Sequence, residues 1–330
     1  MRRWIKIAIL SLLLAGGAVL CVIRWQAWFG MPDEPQWTGR RYNYTFPTFV
    51  MDSVPGFVQT PQGWQDTVSP QSLDILVLGD IHTNLKQADY DSLAARVPQA
   101  DIVLQAGDWL HRGQEYYRQM LLREWLPSGL CGLPVINSPG NHEYSKGLHK
   151  ELSPIWSETF PYPANGPVGV PGAHFYVDMP SMRIISIDTN PLVHLVYLTR
   201  TLTWLRQAMN TAGSRYIVVV MHHPVFSVAK GRFNSHIYAT FRYALGQADL
   251  VIAGHDHNYM RRTPFIEINT AGKTKSQRYH FRTDVTDSAH VYGVLSVERP
   301  DAGGSPSPMI FRVYRMEDGA MIDSLYVKHD

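Results

Sequence analysis

Leu73-Asp74-Ile75-Leu76-Val77-Leu78-Gly79-Asp80-Ile81-His82 is a short apolar run that stops abruptly at polar, metal-competent residues. A continuous apolar run containing β-branched residues predicts a buried strand, here running into a loop at Gly79-Asp80. The same pattern recurs four times downstream. Asp101 to Ala106 runs into Gly107-Asp108, and Leu133 to Asn137 into Gly140-Asn141-His142-Glu143. Tyr216 to Met221 runs into His222-His223-Pro224, and Leu250 to Ala253 into Gly254-His255-Asp256-His257.

Helical periodicity fills the gaps, over Leu85–Val97, Glu115–Leu126, Leu202–Met209 and Ser235–Ala248. Strands alternating with helices predict an α/β fold. In open α/β sheets ligands gather beyond the carboxyl ends of the strands, which is where the five polar tails would meet. Ala173–Asp178 and Arg183–Asp188 read as a hairpin across Met179-Pro180. The C-terminal stretches His290–Glu298, Met309–Tyr314 and Ile322–Lys328 alternate strongly, with a tight turn at Asp318-Gly319. They predict a second sheet packed on the first.

The tails carry a coherent chemistry. In extended chain the spacing of Asp80-Ile81-His82 would point both side chains the same way. Asp108 has two oxygens with which to bridge two cations, and Asn141 offers an amide oxygen. His222, His255 and His257 offer imidazole nitrogens. Seven mixed oxygen and nitrogen ligands without a thiolate suit Mn, Fe or Zn better than Ca or Cu(I). Two such ions about 3.5–4 Å apart make hydroxide available near neutral pH and neutralise phosphate oxygens. His142 is then the candidate to protonate the leaving oxygen. Singly, a Gly-Asp after a strand is ordinarily a turn, and an Asp-x-His ordinarily structural. The weight lies in five tails in this order. His223 reads as a packed residue, and His111 as either site rim or surface.

Composition bounds the rest. The 330 residues are 45% hydrophobic, enough for one large domain or two modest ones. A net charge of +2 from 30 basic and 28 acidic residues gives no reason to expect a nucleic-acid partner. Cys21 and Cys131 are the two cysteines, so a cysteine-based zinc site is excluded, and Cys131 reads as a packed thiol.

The chain opens with Arg2, Arg3 and Lys6, then runs uncharged from Ile7 to Ile23. That length is close to the lower limit of about 17 residues for a spanning helix. The positive residues before the run put the N-terminus in the cytoplasm and the remainder outside, in the periplasm or at the cell exterior. A cleaved signal peptide is the alternative, with small residues at Ala15 and Gly17, and would make the chain secreted. Residues 1–29 are therefore expected to be an anchor or signal, 30–70 a linker and lead-in, and 71–330 the catalytic domain.

The five blocks resemble the calcineurin-like metallophosphoesterase superfamily, whose pattern is Asp-x-His, Gly-Asp, Gly-Asn-His-Glu/Asp, His and Gly-His-x-His. The resemblance covers residues 74 to about 260. It implies a four-layer α/β/β/α sandwich and hydrolysis of phosphate esters at two metal ions. By family pattern, Asp80, His82 and His257 hold one ion, Asn141, His222 and His255 the other, and Asp108 bridges. Met221–Lys230, Thr203–Arg206 and Gly254–Asn258 look like the tartrate-resistant, purple acid phosphatase branch. That branch has a tyrosine where this chain has His111 and tends to lack a histidine where His82 stands, so a colourless centre is expected. Gly107–Gly113 echoes a protein-phosphatase block whose arginine contacts phosphate, which makes Arg112, with His111, a candidate for substrate binding. The expectation is an exported, membrane-tethered phosphatase. A phosphodiesterase acting on lipid, nucleotide or envelope polymer, and a non-catalytic scaffold that kept the fold, are its rivals.

Overall fold

The computed structural model describes residues 57–60, 63–66, 72–110, 124–145, 151–154, 156, 160, 162–179, 181–213, 215–232, 234–277, 282–298 and 308–327. Outside these lie the N-terminal apolar run, His111, Arg112 and most of the helix expected over Glu115–Leu126. Among the described residues no helix is long and apolar enough to cross a membrane.

Two large sheets form the frame. The first has six strands: β3 (Ser72–Leu78), β4 (Ile102–Gln105), β5 (Val135–Asn137), β13 (Val291–Glu298), β14 (Met309–Arg315) and β15 (Met321–Val327). Their spatial order is β15-β14-β13-β3-β4-β5. The second has seven: β6 (Phe175–Asp178), β7 (Met182–Ile187), β8 (Tyr216–Met221), β9 (Leu250–Ala253), β10 (Tyr259–Arg262), β11 (Phe265–Glu267) and β12 (Val285–Asp287). Their order is β12-β10-β11-β9-β8-β7-β6. A small hairpin, β1 (Phe57–Thr60) with β2 (Gly63–Asp66), precedes them, and β2 lies against β6.

This division corrects one expectation. The C-terminal strands do not make a second sheet of their own. β13 pairs antiparallel with β3, placing Val294 opposite Leu76, so β13, β14 and β15 extend the first sheet. The histidine-bearing strands β8 and β9 belong to the other sheet. A strand as apolar as β3 needs partners on both edges and cover on both faces. β4 supplies one edge in parallel and β13 the other.

Alternation along the strands builds the layers. Leu73, Ile75 and Val77 face inward to meet Ile184, Val218, Val220 and Ile252 of the opposite sheet. Leu76 and Leu78 face outward under α1 (Gln87–Arg96), packing with Tyr90 and Leu93. On the far side Ile185, Val219 and Val251 face α2 (Leu195–Asn210) and α3 (Ser235–Ala244), meeting Leu205 and Phe241. The stack is therefore helix, sheet, sheet, helix. Each fully buried aliphatic side chain in it contributes roughly 1.5–3 kcal/mol.

The expected hairpin is present as β6 and β7, and the Asp318-Gly319 turn joins β14 to β15. α2 starts seven residues before the periodic stretch that pointed to it, because its first turn presents Leu195 and Val196 to solvent. Cys131 is free and exposed, not packed, since it lies in the turn region before β5.

Candidate metal centre

The polar tails of both sheets meet at one end of the molecule. The loops after β3 and β4 are stitched together by backbone bonds. Asp80 N–H donates to Gly107 O (3.1 Å), His82 N–H to Asp108 O (2.9 Å) and Thr83 N–H to Trp109 O (2.9 Å). Trp109 is pinned beneath α1, its Nε1 donating to Tyr90 Oη at 3.0 Å. Gly254 N–H donates to His222 O (3.0 Å), joining the loops after β8 and β9. The Asp80 carboxylate crosses between the sheets, with Oδ2 accepting from His255 N–H at 2.7 Å.

The Asp80–His82 link is not extended. Asp80 has φ 50°, His82 φ 51°, Asp108 φ 55°, His255 φ 79° and His257 φ 57°. Five of the six described non-glycine residues with positive φ thus belong to the seven expected ligands. Such left-handed positions cost on the order of 1–3 kcal/mol each and persist where the surroundings force them. Gly107 has φ 85°, and a Cβ there would come within 2.6 Å of His222 Nδ1.

The side chains converge as two sets. In the first, His82 Nε2 and His257 Nε2 are 3.0 Å apart, and Asp80 Oδ1 is 3.7 and 3.6 Å from them. Asp108 Oδ2 is 3.7 Å from His82 Nε2. In the second, His222 Nε2 lies 3.3 Å from Asp108 Oδ2, 3.3 Å from Asn141 Oδ1 and 3.3 Å from His255 Nδ1. Asp108 Oδ2 is shared by both sets. Asp80, His82, Asp108 and His257 lie close enough to hold one ion, as do Asp108, His222 and His255, and Asn141 Oδ1 joins the second set beside His222 Nε2, so all seven expected ligands are brought together. Asp80 Oδ1 is buried without a hydrogen-bond partner, which is costly unless a cation completes it. A mixed nitrogen and oxygen set of this kind fits a pair of transition-metal ions.

Protons distinguish the sets. His257 Nδ1 donates to Lys273 O (2.8 Å), leaving Nε2 bare toward the first set. Burial pushes His82 down to about 3, against the pull of Asp108. Burial likewise lowers His257 to about 4, against its bond to the Lys273 carbonyl. His222 is the opposite case. Burial would lower it, but the charges of Asp108 and Asp80 outweigh that and hold it at about 9. Its Nδ1 donates to Ala106 O (2.9 Å), so the second proton sits on Nε2 facing Asp108. Asp108 in turn is held well below the usual carboxylate range: burial opposes ionisation, and His222 overcomes it. Arg232 Nη1 donates to His255 Nε2 (2.6 Å) and to its carbonyl (2.9 Å). An arginine can only donate, so the proton of a neutral His255 sits on Nδ1, the atom that faces His222.

Several supporting residues were not among the expected ligands. Glu143 is buried and accepts three backbone N–H groups: Asp108 (3.0 Å) and Gly140 (2.6 Å) at Oε2, and Leu110 (3.1 Å) at Oε1. Asp188 accepts from Tyr144 Oη (2.6 Å) and from Asn190, whose Nδ2 also donates to Gly140 O (3.2 Å). Together they clamp the loop that carries Asn141. Asp256 accepts from the Ser227 hydroxyl and so ties the 227–232 segment to the Gly254–His257 turn. Glu143 lay within a quoted block, but its role depends on loops distant in sequence, and Arg232 and Asp188 carry no local signal.

His142 stands at the mouth of the centre. Its side chain is partly exposed, its backbone N–H donates to Asp108 Oδ1 (2.8 Å), and its Nε2 is 3.8 Å from Asp108 Oδ2. His223 bonds Thr189 Oγ1 through Nδ1 (2.7 Å) and packs its ring on His255.

Comparison with known proteins agrees with this architecture. The structure is similar to purple acid phosphatase PPD1 from yellow lupin (Lupinus luteus) seeds, with a TM-score of 0.61 and 14% identity. That match covers 79% of this chain and 55% of the lupin chain. It is also similar to GAP50, the anchor in the inner membrane complex of Plasmodium, with a TM-score of 0.57 and 13% identity. There the match covers 79% of this chain and 90% of that one. At such identities the likeness concerns the fold. No curated protein matches the sequence. The family model of calcineurin-like phosphoesterases matches residues 73–259, which span all five motif blocks. The chain belongs to the calcineurin-like phosphoesterase family of phosphoric ester hydrolases.

Proposed function

We propose that this protein is a metal-dependent phosphatase, exported and held at a membrane by its N-terminal segment, with its catalytic domain on the extracytoplasmic side. The observation that carries the catalytic part is the sharing of Asp108 Oδ2 between two buried ligand sets. In this reading Asp80, His82 and His257 hold one ion, Asn141, His222 and His255 the other, and Asp108 both. Ions so held supply Lewis acidity to phosphate oxygens and a hydroxide nucleophile near neutral pH. The protein's own groups do the rest. Glu143 fixes the backbone on either side of Asp108, so the bridging carboxylate keeps one orientation. His142 reaches the mouth of the centre and holds the proton that the leaving oxygen needs. The transition state of phosphoryl transfer demands mainly positioning and charge neutralisation, which this set supplies.

The exported location is supported by the basic start and the uncharged run Ile7–Ile23. The structural likeness to an anchor protein supports a second reading, a scaffold that kept the fold. A complete ligand set with its supporting carboxylates favours catalysis. The deciding experiment is a panel of phosphate monoesters and diesters offered to the full chain loaded with Mn, Fe or Zn. Hydrolysis is expected, with monoesters preferred. No turnover on any ester by a metal-replete sample would leave the scaffold reading, and preference for diesters would make the enzyme a phosphodiesterase.

A further inference from the structure

The helical layer over the seven-stranded sheet has an unusual charge pattern. From Thr189 to Ala248 there is no aspartate or glutamate, whereas the whole chain carries 28. The same stretch holds six basic residues, including Arg200 and Arg206 on α2 and Arg242 on α3. Arg200 and Arg206 are exposed, and among the described residues none of these three arginines has a carboxylate partner. Arg200 instead bonds the Val168 and Gly169 carbonyls, and Arg242 lies over the rings of Tyr238 and Tyr243.

Exposed apolar groups concentrate on the same face. Seven large hydrophobic residues are exposed among the described residues. Leu195 and Val196 open α2, Val193 ends the short 3-10 turn before it, Tyr243 is on α3, and Val168 sits beside Arg200. Only Met321 and Tyr326, on β15, lie elsewhere. Leu195 is 54% and Tyr243 74% exposed. α2 and α3 are neighbours in one layer over the same sheet, with Leu195 and Val196 at the start of α2 and Tyr243 near the end of α3.

We propose that the α2–α3 face is a docking surface for an anionic lipid bilayer. Protruding aliphatic side chains, tyrosines and arginines that have no carboxylate partner among the described residues are what an anionic interface accepts. A polynucleotide would use the arginines and leave Leu195, Val196 and Val168 without a role. The geometry gives the docking a purpose. α2 follows β7 and α3 follows β8, so both helices begin at the end of the sheet where the metal centre lies. Docking through this face leaves the centre at the edge of the bound surface, beside the headgroup layer, where α2 and α3 begin. The inference goes beyond the proposed phosphatase and needs no turnover, while the proposed tether would keep this face within reach of a membrane.

The test uses the full chain with Cys21 and Cys131 changed to serine. Single cysteines, Val196→Cys, Tyr243→Cys and, as control on β15, Tyr326→Cys, carry bimane. The probes are vesicles of phosphatidylcholine alone, or with one-third phosphatidylglycerol, both containing a nitroxide lipid. Anionic vesicles are expected to quench more than half the fluorescence at positions 196 and 243 and to leave 326 unchanged. Arg200→Glu combined with Arg206→Glu should restore it, since each cation near an anionic surface contributes about five-fold in partitioning. Quenching at 196 and 243 no stronger than at 326, or equally strong on neutral vesicles, would overturn the proposal. So would a response to a duplex oligonucleotide in place of vesicles. Flotation of the chain with neutral vesicles reads the tether separately.

Discussion

His222 Nε2 lies 3.3 Å from Asp108 Oδ2, while His222 Nδ1 is committed to the Ala106 carbonyl. In the metal-free protein this is a buried ion pair, with His222 held protonated up to about 9. The proton occupies the atom an ion would need. The first ion should enter the Asp80–His82–His257 set, whose imidazoles are neutral above about 4 and whose one competing proton is that of the Asp80 carboxyl, pushed up by burial. The second should displace about one proton at neutral pH, and its affinity should rise about ten-fold per pH unit up to about 9. Calorimetric titration in buffers of different ionisation heat reads that proton directly. Stability follows the opposite sign. The His222 contribution to the metal-free fold is fully present below about 6.5 and is lost as pH rises through about 9.

Asp108→Asn removes the shared charge without changing shape. One ion per chain, or none, should remain by elemental analysis. Turnover should fall about 10²-fold or more, because several kcal/mol of charge stabilisation are lost. The proton released with the second ion should vanish, since His222 no longer faces a carboxylate. A variant that kept two ions and wild-type turnover would remove Asp108 from the bridge.

Glu143→Gln replaces an acceptor of three backbone N–H groups by one whose amide points donors at donors. The fold should lose about 1–3 kcal/mol by denaturant titration. Metal affinity should drop about 10–100-fold, as for other residues that orient ligands. Burial, and next the charge of Asp108, push Glu143 up to about 7 in the metal-free protein. Its stability contribution is complete below about 4.5 and is lost as pH rises through about 7. The metal-free wild type should accordingly lose ground to the variant across that window.

His142→Ala should retain both ions, since its side chain belongs to neither ligand set. Turnover should fall about 10²–10⁴-fold on esters with poor leaving groups and far less on activated ones. A uniform fall across leaving groups would give His142 a role other than proton donation.

The sequence was most informative where chemistry is local. Each strand with its polar tail was legible because burial, turn and ligand lie within ten residues of one another. The meeting of all seven ligands followed from the rule that sites form beyond strand carboxyl ends. The assignment of strands to sheets was not legible. β13 reads the same whether it joins β3 or starts a sheet of its own, and only the completed packing around β3 decides. The left-handed turns at Asp80 and His82 were likewise hidden, because spacing alone predicted an extended link. Glu143, Asp188 and Arg232 act on backbone or rings that the chain brings near only after folding.

The central claim is a two-ion hydrolytic centre joined through Asp108. Its most direct measurement is the rate of phosphate-ester hydrolysis by the chelator-stripped full chain as metal is added back in counted equivalents. The expected curve shows negligible hydrolysis without metal and reaches its plateau at two ions per chain. A plateau at one equivalent, or hydrolysis that persists in the stripped protein, would contradict it.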